Sequence, residues 1–263
     1  MQKRKRKRMS ASVGLLVILW SGAAVVASEG RTAHIGEGWD YVFAPYVWLA
    51  GFDADHVTIG GTTAAGSGDI GDIAENVEGG AMGYFSARNG KWGIYVEATY
   101  VSLSTPATIG GAAATSDTKA QFYEVGGLYR VSEGSAGAEG LPVSTDLFFG
   151  ARYVNLDANI QPAGGANVRG YEDWVDPIVG ATYHRDFTTN CTLSLSSHFG
   201  GIGVGSDLTW GLRAMGGYRM SDSSNFWLGY RYLDIDYDDG TGASKFVFDV
   251  GLSGPILGAS FHF

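Results

Sequence analysis

The sequence predicts an all-β protein, a transmembrane antiparallel up-and-down β-barrel, on three observations. Apolar and polar residues alternate with period 2 along most of the chain, and the apolar faces carry Trp or Tyr near their ends. The opposite faces carry charges that a soluble sandwich core would bury at high cost but a barrel lumen can pair or hydrate. The connections alternate between short and long, as turns on one rim and loops on the other require. Composition agrees. The 263 residues include 41 Gly, 7 Trp, 14 Tyr and 13 Phe, with only 17% charged. So much glycine costs about 1 kcal/mol per helix-interior site, which counts against a helical protein. Abundant aromatics and sparse charge count against disorder.

The amino terminus reads as a cleavable signal peptide over residues 1–27. Six basic residues, Lys3 to Arg8, precede an apolar run from Val13 to Val26, and Ala27 supplies the small residue at the exit. About 14 apolar residues fall short of the roughly 20 that a spanning helix needs. Cleavage after Ala27 leaves a periplasmic segment, 28–38, and the barrel, 39–263. Loss of the six basic residues leaves 12 against 27 acidic ones, a net charge of −15. Such a polyanion does not suit nucleic acid, and no nucleic-acid partner is expected. Cys191 is the single cysteine, so no internal disulfide forms, and it reads as a small apolar strand residue.

After residue 27 no stretch stays apolar for 18 residues. The chain divides instead into about ten strands, near 39–52, 78–88, 91–103, 118–131, 143–156, 171–187, 190–200, 206–220, 224–237 and 244–263. Trp92, Ile94, Val96, Ala98 and Tyr100 interleave with Gly93, Tyr95, Glu97 and Thr99. Leu147, Phe149, Ala151 and Tyr153 alternate with Asp146, Phe148, Gly150 and Arg152. Eight and twelve strands stay open, because His56 to Gly61 reads either as a strand or as a hairpin extension. Pro255 either breaks the last strand or marks a bulge in it. Asn89-Gly90, Thr188 to Asn190 and Ser221 to Ser224 are short periplasmic turns. Segments 53–77, 104–117 and 157–171 are long extracellular loops rich in Gly, Ala, Ser and Asp.

The chain ends in Phe263 behind Leu257, Ala259 and Phe261 on one face. An alternating strand closed by an aromatic resembles the signal that the Gram-negative barrel-assembly machinery reads, with Phe261 and Phe263 carrying it. The motifs at Pro45–Leu49, Gly200–Trp210, Gly229–Tyr237 and Gly254–Gly258 make 39–263 similar to a widespread, porin-like group of Gram-negative outer-membrane β-barrels, most without an assigned activity. The resemblance implies the fold and an outer-membrane location, with the bilayer and lipopolysaccharide as surroundings. It carries no catalytic residues.

The expected lumen lining is charged: Glu97, Glu124, Asp146 and Asp176 with Arg130, Arg152, Arg213 and Arg231. In a barrel of this size opposite charges pair, which either braces a closed lumen or leaves a narrow path for a small polar solute. Other motifs have plainer readings. Gly201-x-Gly203-x-Gly205 lacks the following helix of a dinucleotide site and reads as a loop between strands. Asp234, Asp236, Asp238 and Asp239 misplace the glycine and final glutamate of a calcium loop and mark a strand leaving the membrane. Asp69, Asp72, Glu75 and Glu78 suit a short helix capped by Asp69 or Asp72. Asp53, Asp55 and His56, or His198 with Ser206, are the raw material for a rim hydrolase, and neither group is complete. The expectation is a narrow passive channel or structural envelope protein, with no enzymatic activity, cofactor or metal. The alternative is a surface-loop binding or adhesion module.

Overall fold

The computed structural model describes residues 38–59, 62–71, 75–109, 112–165 and 167–263. The signal peptide, its cleavage site and most of segment 28–38 lie outside them. Twelve strands follow in chain order: β1 (Asp40–Trp48), β2 (Gly51–Ile59), β3 (Thr62–Gly68), β4 (Val77–Asn89), β5 (Trp92–Ile109), β6 (Ala112–Ala136), β7 (Leu141–Pro162), β8 (Val168–Asp186), β9 (Cys191–Gly200), β10 (Leu208–Ser221), β11 (Ser224–Asp239) and β12 (Phe246–His262). Ten of them, β1 and β4 to β12, pair antiparallel in sequence order, and β1 closes the ring on β12. Closure leaves those strands without free edges, which a bilayer demands. The β2–β3 hairpin is the addition; it joins the upper half of β12. Of the segment His56 to Gly61, the described residues His56 to Ile59 thus belong to an extra strand outside the ten.

Strand lengths show where the membrane ends. A spanning strand needs about 9–11 residues, yet β6 has 25, β7 has 22 and β8 has 19. The surplus rises on the extracellular side. Segments 104–117 and 157–171, expected as loops, are therefore hairpin extensions: Ser104 to Ile109 pairs with Ala112 to Asp117, and Asp157 to Ile160 with Val168 to Tyr171. Ladder pairing satisfies their backbone groups. Segment 53–77 holds β2, β3 and the start of a helical turn, where the Asp69 carboxylate accepts the Gly71 N–H at 2.8 Å; Asp72 lies outside the described residues.

The hydrophobic phase reverses along the strands. In the membrane the outward residues are apolar: Ile94, Val125, Phe149, Leu212 and Leu228 each leave half or more of their surface uncovered by protein. Aromatic pairs flank this band, Trp92 with Tyr129 on the periplasmic side and Trp210 with Tyr232 on the outer side. Above it the outward residues become polar and the inward ones apolar. On β11, Asp234 and Asp236 face out while Leu233, Ile235 and Tyr237 are buried inside. On β7, Asn159 faces out while Val154, Leu156 and Ile160 point in. The top of the barrel is accordingly built like a soluble sandwich, apolar within and wet without.

Two details shape that top. β9 and β10 stop early, at Gly200 and Leu208, and above them the Trp174 ring of β8 stacks on Tyr237 of β11 at 3.9 Å. On the facing side, Ile59 of β2 lies where any side chain at Gly170 of β8 would have to sit. Pro255 lies within an unbroken β12, at the level of the β1–β2 junction, where its carbonyl accepts the Leu49 N–H at 2.8 Å. Its missing N–H faces that interruption and removes no ladder bond. Neighbouring Gly254 is required there, because a Cβ would fall 1.8 Å from the Leu49 carbonyl oxygen.

Candidate functional site

The charged lumen occupies the level just below the phase reversal, and its side chains come from nearly every wall. Arg231 of β11 donates to Glu97 Oε1 of β5 at 2.7 Å and to the Tyr46 hydroxyl of β1 at 3.3 Å. Tyr46 itself donates to Glu97 at 2.5 Å and lies 3.0 Å from Thr99 Oγ1. The Arg231 guanidinium also stands 4.6 Å over the Trp48 ring, a cation–π contact that covers its remaining face. This cluster crosses the lumen.

Beside it, Arg152 of β7 donates through Nε to Glu124 Oε2 of β6 at 3.0 Å, and Tyr95 donates to Glu124 Oε1 at 2.8 Å. Arg152 further reaches Thr209 at 3.3 Å and His198 Nε2 at 2.9 Å. Arginine is only a donor, so Nε2 is an acceptor and the ring is neutral. Nearer the periplasm Arg130 holds Asp146 with two bonds, 2.8 and 3.2 Å, and Glu133 with a third at 3.0 Å. Arg88 approaches the same Asp146 at 3.1 Å. Multiply bonded arginine–carboxylate pairs are the geometry in which burial of charge is tolerable.

The sequence-predicted residues divide as follows. Glu97, Glu124, Arg130, Asp146, Arg152, Arg213 and Arg231 all turn inward and share these clusters, Arg213 at 3.7 Å from Glu97. Asp176 is also buried on the inner face, but it is a loop anchor: it accepts the Trp174 indole N–H at 3.1 Å and the Ser206 backbone N–H at 2.6 Å. Sequence reasoning missed Arg88, Tyr46 and Trp48. Their signal was present, since all three have lumen parity on their strands. Gly201 and Gly203 have positive φ in the loop between β9 and β10, as does Ile202 at 48°. Among the described residues no hydrogen bond joins His198 to Ser206. Cys191 is exposed, at the periplasmic start of β9.

Above the charged level the lumen is filled. Val101, Leu103, Val154, Leu233, Val250 and Leu252 are almost completely buried there, and Phe52 of β2 packs with them. Below it a cavity remains, with room of about 70 Å³ for the centres of water-sized groups, lined by Arg88, Glu97, Glu124, Arg152, Arg213 and Arg231 among others. On the outer wall above the membrane, Asp236 lies opposite Asp249 in the ladder. Burial and the neighbours Asp207, Asp234 and Asp238 push the Asp236 carboxyl above its ordinary value. Asp249 is raised in the same way, by burial and then by Asp236, Asp55 and Asp234. Among the described residues no group of three or more His, Cys, Asp or Glu converges on a metal-holding position.

A closed antiparallel barrel with an even strand number, an apolar outer band and short turns on one rim is an integral protein of the Gram-negative outer membrane. No protein-family model and no curated protein sequence matches the chain. Several solved outer-membrane proteins are similar at low identity. The attachment invasion locus protein Ail of Yersinia pestis, in complex with the heparin analogue sucrose octasulfate, is 14% identical with a TM-score of 0.37, covering 87% of this chain and all of its own. The translocator domain of the autotransporter NalP from Neisseria meningitidis is 12% identical with a TM-score of 0.34, covering 88% and 90%. The Ralstonia pickettii toluene transporter TbuX gives 12% and 0.34, covering 86% and 89%.

Proposed function

We propose that this protein is a non-catalytic structural barrel of the outer envelope whose lumen is sealed at rest. The observation that carries this reading is the two-level filling of the lumen, an ionic brace of Arg231, Glu97 and Tyr46 beneath a packed apolar layer. A hydrated path would have to break both. Its surroundings are lipopolysaccharide and lipid against the outer band, and the barrel-assembly machinery during insertion. For the latter, Phe263 is placed at the seam: it exchanges two 3.1 Å backbone bonds with Tyr41 and stacks on that ring. Planar-bilayer recording of the purified protein tests the proposal. The expected trace has no discrete steps, and ion-selective steps would replace the sealed barrel with a narrow channel for a small polar solute.

A second reading, a binding surface, is favoured by one feature. A polar trough of about 600 Å³ lies across the extracellular extensions, lined by Glu78, Ser102, Asp117, Lys119, Asp157 and Arg169 with others. Hydroxyls, amides and paired charges of this kind suit a sugar chain. Titration with lipopolysaccharide core oligosaccharide, compared between the wild type and Asp157→Ala, discriminates the two readings. Heat that vanishes in the variant supports binding, and no heat in either removes it.

A further inference from the structure

We propose that the lumen cavity holds one small inorganic anion, of the chloride class, on Arg213. The argument starts from charge. Arg130 and Arg88 share Asp146 and Glu133, two cations with two anions. Arg152 holds Glu124 and has Asp176 opposite it in the ladder, a carboxylate already taken by the Trp174 indole and the Ser206 backbone. Arg231 and Arg213 have Glu97 alone between them, and Arg231 holds it at 2.7 Å. Arg213 comes no closer than 3.7 Å, beyond hydrogen-bond range. Among the described residues its Nε–H, fully enclosed, has no partner at all. Among the described arginines that line the cavity, Arg213 is therefore the one whose guanidinium has no carboxylate within hydrogen-bond distance. A poorly compensated charge in the low-dielectric lumen is costly.

The surroundings are arranged for an anion. Arg213 sits directly opposite Arg231 on one neighbouring strand and Ser196 on the other. Like charges face each other across β10 and β11, an arrangement that favours a counter-ion. Ser196 accepts a bond from Thr182 at 3.1 Å, which leaves its own hydroxyl proton to donate. Arg213, Ser196 and Thr182 all line the same cavity. That cavity has room for several waters, hence for a monatomic ion, but not for a large organic anion.

The test uses the protein extracted from outer membranes in detergent, at constant ionic strength, in sodium chloride against sodium gluconate. For the wild type, chloride is expected to raise the thermal unfolding midpoint and to saturate at one ion per barrel. Arg213→Met is expected to lose that response and to unfold in gluconate at or above the wild-type midpoint, because the poorly compensated charge is gone. Lys91→Gln, exposed at the turn between β4 and β5, is expected to keep it. A wild-type midpoint equal in both salts, or a chloride response retained by Arg213→Met, would overturn the proposal. Should Arg213→Met fail to fold, anomalous diffraction from wild-type crystals in bromide decides: a single bromide against the Arg213 guanidinium is expected, and none overturns it.

Discussion

Each lumen carboxylate serves more than one donor, so its removal orphans several groups at once. Glu97 is the clearest case, with Arg231, Tyr46 and Arg213 around it. Glu97→Gln should destabilise the barrel by about 3 kcal/mol, the usual cost of leaving a buried cation without its partner. Urea unfolding followed by tryptophan fluorescence measures it, and an unchanged midpoint would deny the brace. Asp236 makes the opposite case. Its raised carboxyl binds a proton more tightly in the folded chain than in the unfolded one. The stability it adds is therefore present at low pH and lost as pH rises through the folded value. Asp236→Asn should stabilise the barrel at pH 7 by about 0.5 kcal/mol, the scale for like charges opposed in a ladder. Repeating the melts at pH 3 should show the gain gone.

At the scale of elements, the instructive strands are those that change phase. The membrane half of β5, β7 and β11 is legible directly from period 2, and so is the parity that sends Glu97, Arg152 and Arg231 inward. The upper halves of β5 and β7 read as loop, since Thr, Ala, Ser and Gly between 104 and 117 carry little apolar signal of their own. Leu233, Ile235 and Tyr237 after Arg231 do announce the reversal, but only once the same face is followed through the girdle. The β2 strand is harder still, because Ile59 meets Gly170 of β8, more than a hundred positions along the chain. Trp174, stacked on Tyr237 above the short β9 and β10, is the element-scale test. Trp174→Ala should cost about 3–5 kcal/mol, as large aromatic truncations in cores do. Calorimetry would report it, and a loss below about 1 kcal/mol would show that the stack carries little of the upper core.

For the whole molecule, sequence alone fixes the class and the location of the charges but leaves open whether the lumen conducts. That depends on how two filled levels superpose, a property of closure rather than of any segment. Closure also governs time. Arg231 meets Glu97 across 134 positions and Tyr46 across 185. Contacts this distant in the chain form only after the ring has shut, too late to help it shut. They should therefore act as a latch: their loss leaves the rate of refolding nearly unchanged and accelerates unfolding by almost the whole equilibrium effect. For Glu97→Gln, about 3 kcal/mol corresponds to unfolding roughly a hundredfold faster. In an envelope far from any source of cellular energy, such a brace would set how long the barrel lasts more than how readily it is made.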